Sequence, residues 1–82
     1  KKNLQKAIKI SKILMNFYNC VKMNFSKIDD LRYIKKKISE ISSNVEYLEI
    51  RNKNNLSQHI NKRNFKIFVS YYINNIRLID NF

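Results

Sequence analysis

Residues 56–80 read LSQHINKRNFKIFVSYYINNIRLID, and the winding of this stretch decides the fold. Apolar side chains recur throughout it, with no glycine or proline to interrupt them. At 100° per residue, Phe65, Phe68, Val69, Tyr72, Ile76 and Ile79 fall on one side. Leu56, Ile60, Ile67, Tyr71 and Leu78 fall roughly on the other. The spacing predicts a helix over 56–80, bent or split at the polar run Asn61-Lys62-Arg63-Asn64. A helix apolar on two sides lies at the centre of a bundle or contacts something outside its own domain.

The rest of the chain supports a helical reading. There is no glycine and no proline in the 82 residues. Hairpin turns favour Asn-Gly or Asp-Gly, so an all-β chain would build every turn without its usual residue. Asparagine tolerates the left-handed region and ends helices, so a helical chain can manage. Residues 3–24 predict a first amphipathic helix, with Leu4, Ala7, Ile8, Ser11, Leu14, Met15, Tyr18 and Val21 on one side and Ile10 and Phe17 widening that stripe. Lys2, Lys6, Lys9 and Lys12 lie opposite. Ser26 starts a second helix, with Asp29 in its first turn. Its apolar series Ile28, Leu31, Ile34, Ile38, Ile41, Val45, Leu48 keeps steps of three and four. Ser43 with Glu46 makes a capping box, so a break near residue 43 is favoured over one helix from 27 to 51. Residues 51–55 form a loop. The expected architecture is all-α, a compact bundle of three to four helices. Its expected core is Leu14, Val21, Leu31, Ile34, Ile38, Ile41, Leu48, Phe68, Tyr72 and Ile76.

Eighty-two residues make one domain with a thin core. The chain begins with Lys1, which reads as a segment excised from a longer protein. Lys and Arg number 17 against 6 Asp and Glu, a net charge of +11. That balance favours anionic partners. AT-rich codons, which specify lysine, asparagine and isoleucine, explain the same excess without selection for binding. A lone cysteine, Cys20, fits a reducing intracellular compartment, the nucleus included. No apolar run is long enough to span a membrane.

The absence of glycine excludes a phosphate-binding loop, a dinucleotide fingerprint and a nucleophile elbow. One histidine, His59, and one cysteine cannot supply a zinc site within one chain. The acids Asp29, Asp30, Glu40, Glu46, Glu49 and Asp80 are explained by helix starts, ion pairs and solubility. These features predict no enzyme, no metal, no cofactor and no small-molecule substrate. The leading expectation is a non-enzymatic protein-interaction module, self-association included, with Ile60, Ile67, Tyr71 and Leu78 as its contact set. The alternative is a nucleic-acid-binding domain that holds phosphates with Lys2, Lys6, Lys9, Lys62, Arg63 and Lys66. A third reading is a structural subunit of a large complex.

Residues 27–41 read KIDDLRYIKKKISEI. With Ile34, Lys36, Ile38 and Ile41 in an apolar-x-basic-x-apolar-x-x-apolar spacing, they resemble the second helix of the helical domain at the N-terminus of transcription elongation factor TFIIS. They also resemble its relative, the integrase-binding domain. Residues 63–67 are similar to the start of a later helix of that domain. Lys35 stands where the elongation factor has glycine, and its tryptophan has no counterpart. The resemblance implies a four- or five-helix module that docks short motifs from transcription and chromatin partners.

Overall fold

A computed structural model describes residues 2–61 and 63–82, with side chains from Leu4 onward. The first half follows the helical pattern. Helix α1 spans Lys2–Met23. A 3₁₀ segment follows over Phe25–Asp30, opened by Asn24, whose side chain accepts hydrogen bonds from the Ser26 backbone N–H at 3.2 Å and from the Ser26 hydroxyl at 2.7 Å. Helix α2 spans Leu31–Ser39. The Ser42 hydroxyl donates to the Ile38 carbonyl at 2.9 Å and satisfies one of the acceptors at the helix end.

From Asn44 the chain turns to strands: β1 over Asn44–Asn52, β2 over Phe65–Ile73 and β3 over Ile76–Asn81. They form one antiparallel sheet in the order β1-β2-β3. This corrects the all-α expectation. The break before residue 44 is present, but a strand follows it and not a second helix. The expected helix over 56–80 is a loop, the central strand and an edge strand.

The physical reason lies in β2. Phe65, Ile67, Val69, Tyr71 and Ile73 are apolar at every second position and all five are buried. That is the period of a strand, built from residues that suit a pleated surface. Two residues advance a helical wheel by 200°, so alternation wound as a helix scatters one face onto two opposite sides. The two apolar sides of the expected helix are this artefact. The β2–β3 hairpin also closes without glycine. Ile73 pairs with Ile76 across Asn74 and Asn75, and Asn74 takes φ 57°. Asparagine tolerates that left-handed geometry. The Asn74 backbone N–H donates to the Ser43 hydroxyl at 2.8 Å, which ties the turn to the start of β1.

The molecule has two layers. Both helices cover one sheet face, α1 against β2 and α2 against β1. Between them lies one core: Ile10, Leu14, Phe17 and Val21 from α1, Ile38 from α2, Leu48 and Ile50 from β1, and the five alternate residues of β2. The Phe65 ring stacks tilted against Tyr18 at 4.9 Å and edge-on against Phe25 at 6.2 Å, joining α1 to the sheet. Of the expected core, Leu14, Val21, Ile38 and Leu48 are buried, and Leu31, Ile34 and Ile41 pack partly buried against them. Phe68 and Tyr72 are only half-buried because the register puts them on the other sheet face, and Ile76, opposite Ile73 at the first position of the edge strand, is 53% exposed.

Candidate functional site

The second sheet face has no helix on it. Residues directly opposed across antiparallel strands share a side. The register therefore places Tyr47, Glu49 and Arg51 of β1 beside Ser70, Phe68 and Lys66 of β2, with Arg77, Ile79 and Asn81 of β3 beyond. The ladder slips once, between Val45 and Tyr47, and Glu46 is the extra residue. Such a bulge re-aims a side chain. Here one carboxylate oxygen, Oε1 of Glu46, accepts from the Ser70 hydroxyl at 2.6 Å and from Arg77 through Nε at 2.8 Å and Nη2 at 2.8 Å. The contact crosses all three strands. Beside it Arg51 and Glu49 pair at 3.1 Å.

The electrostatics follow from those bonds. The Ser70 hydrogen bond, then Arg77, holds the Glu46 carboxyl below its ordinary value of 4.5, against a smaller opposing effect of burial. Glu46 in turn raises the Arg77 guanidinium. A carboxylate whose one oxygen takes three donors is favoured as the anion, and the cluster ties the three strands together. On the packed face, burial and then the charge of Asp80 push the Tyr71 phenol above its usual 10.0.

Two other features are built locally. Asn52, buried at the end of β1, organises the loop that follows. Its side-chain oxygen accepts from the Asn54 and Asn55 backbone N–H groups at 2.8 and 3.4 Å, and its side-chain nitrogen donates to the His59 carbonyl at 3.0 Å. Its backbone carbonyl accepts from Leu56, which holds φ 60°. That geometry is costly for a leucine, about 1–2 kcal/mol, and the Asn52 bonds help to hold it. On the helix side, an open groove of about 780 Å³ runs between α1 and the end of α2, lined by Lys6, Lys9, Lys12, Ile8, Glu40 and Ile41. Among the described residues no group of three or more His, Cys, Asp and Glu side chains could hold a metal ion, and no helix is long and apolar enough to cross a membrane.

The expected contact set Ile60, Ile67, Tyr71 and Leu78 is brought together, but against the helices. Ile67 is fully buried and Tyr71 nearly so, while Ile60 and Leu78 pack partly buried on the same core. The expected phosphate-binding set is dispersed. Lys6 and Lys9 are exposed on α1, Lys66 is half-buried on the opposite side of the sheet, and Arg63 is exposed in the loop. Lys62 and the side chain of Lys2 lie outside the described residues. Phe65, beside Lys66 in sequence, is 3% exposed and faces the core, so no base could stack on it. Ser70, Glu46 and Arg77 were not anticipated as a group. The available signal was Ser70 itself, the one serine inside the run of apolar and aromatic residues 67–73.

A family model described as pantoate-beta-alanine ligase matches residues 1–82. The chain belongs to the pantoate-beta-alanine ligase family. No curated protein and no solved structure matches it. Membership overturns the likeness to the elongation-factor and integrase-binding domains, which rested on an amphipathic spacing shared by many helices. It also overturns the expectations of a transcription or chromatin module, of a nucleic-acid-binding domain and of a chain unconnected with enzymatic activity. Those expectations drew on missing glycine loops and catalytic motifs.

Proposed function

We propose that this chain is part of an enzyme that joins pantoate to β-alanine through an amide bond. The observation that carries this reading is the family match, which extends over residues 1–82 and leaves no part of the chain outside it. Pantoate brings a carboxylate and β-alanine an amine, so the reaction needs an activated carboxyl group and a site that keeps water from it. Within that scheme the chain's role is to hold and enclose. The core locks two helices onto three strands, and the Glu46–Ser70–Arg77 bonds fasten the strands on their other side. A carboxylate with one oxygen taken by three donors suits that role better than acid–base catalysis.

The test is direct. The enzyme of which this chain is part is incubated with pantoate, β-alanine and ATP, and the amide is followed by mass spectrometry. The expected result is product that requires both substrates. Folded protein that yields no amide contradicts the assignment. A second readout addresses the division of labour: Glu46→Gln is expected to lower thermal stability while kcat stays within about twofold. A large fall in kcat at unchanged stability would place Glu46 in the chemistry.

A further inference from the structure

We propose that the N-terminal half of α1 is a docking face for an acidic amphipathic helix. Leu4, Ile8 and Met15 are 65%, 47% and 48% exposed, although they belong to the helix that supplies much of the core. Ile10, Leu14, Phe17 and Val21 face the sheet, and on a helical wheel Leu4, Ile8, Ser11 and Met15 form a second stripe beside that face. This stripe and the neighbouring Ala7 and Phe82 line a shallow depression of about 470 Å³. Ile8 and Lys12 also line the larger groove, so the two depressions adjoin along the helix.

Charge decides the occupant. Helix α1 carries Lys2, Lys6, Lys9, Lys12 and Lys22 and no acidic residue. Three of these lysines line the groove alongside the apolar stripe, with Glu40 at its α2 wall as the one acid. An apolar strip edged by lysines complements a helix with leucine-like residues on one face and carboxylates at its margins. From Leu4 to Met15 the strip rises about 17 Å at 1.5 Å per residue, the length of three helical turns. A second copy of the chain fits poorly, because each carries a net +11 and two basic helices would meet. The inference concerns a surface away from the Glu46 cluster, and its test does not depend on ligase activity.

The probe is an 18-residue fluorescein-labelled peptide with leucine at core spacing and glutamate at flanking positions, titrated at 150 mM salt. A control peptide has serine in place of each leucine. The leucine–glutamate peptide is expected to bind, the serine–glutamate peptide to bind at least tenfold more weakly, and Ile8→Ser with Met15→Ser to lose at least tenfold. Lys9→Glu with Lys12→Glu should lose a similar factor. All four positions lie on the helix surface, and a far-ultraviolet spectrum confirms that each variant keeps the fold. Equal binding of both peptides, or binding unchanged by Ile8→Ser with Met15→Ser, overturns the proposal. So does concentration-dependent self-association abolished by those substitutions, which would make the occupant a second copy. Binding to phosphatidylserine vesicles stronger than to the peptide would identify a membrane surface instead and overturn it equally.

Discussion

The two faces of β2 use the same strand for different ends. Toward the helices, Phe65, Ile67, Val69, Tyr71 and Ile73 are all buried and fill one core with Ile10, Leu14, Phe17 and Ile38. Toward the open side, Lys66, Phe68 and Tyr72 are half-buried, and Ser70 is buried through a hydrogen bond to Glu46. One face holds by excluding water. The other holds by directional bonds from a bulged β1 to β3. The difference shows that a strand can be hydrophobic nearly throughout and still have one packed side, because antiparallel sheets tolerate solvent on the other.

The largest expected effect breaks the packed face. Ile67→Ala should cost about 2–5 kcal/mol, read from chemical denaturation, because a fully buried side chain leaves a cavity between α1 and the sheet. Phe68→Ala, one residue on and half-buried, should cost clearly less, about 1 kcal/mol. Equal costs would erase the distinction between the faces. Next comes the loop. Asn52→Ala removes the acceptor of two backbone N–H groups and the donor to His59, and should cost about 1–3 kcal/mol, with faster proteolysis within residues 53–64.

The smaller effects sharpen the electrostatics of each side. The Glu46 carboxyl titrates lower when folded than when unfolded, so its contribution is present above pH 4.5 and is lost as pH falls through its depressed folded value. The melting-temperature gap between the protein and Glu46→Gln should therefore close on acidification, and a gap constant from pH 7 to pH 2 would show that Glu46 is not held as an anion. The Tyr71 phenol titrates higher when folded. Its contribution is present below pH 10.0 and fades as pH rises through the raised folded value. Tyr71→Phe should be less sensitive than the parent protein to alkali above pH 10, as followed by circular dichroism.

The helical half was legible because its pattern and its geometry share one period. In α1, Leu14 and Val21 mark the buried face, and the serines at 42 and 43 mark the end of the helical region. The sheet was misread for two physical reasons. Alternation at period two, wound at 100° per residue, produces opposed apolar sides that mimic a central bundle helix. The absence of glycine weighs against hairpins, whereas here Asn74 adopts the left-handed geometry that glycine usually supplies. The Glu46 cluster lay beyond sequence reasoning because it joins residues 24 and 31 positions apart through a bulge that leaves no local mark. The family came from comparison and not from any motif in the sequence.

The central claim is that residues 65–81 form paired strands whose alternate side chains close a core under two helices. Proton–proton contacts in solution by nuclear magnetic resonance test it most directly. Cross-strand contacts are expected between Leu48 and Val69 and between Tyr71 and Leu78, the pairs that face each other in the register. Contacts between residues three apart along 65–73, such as Ile67 with Ser70, with no cross-strand contact, would contradict it.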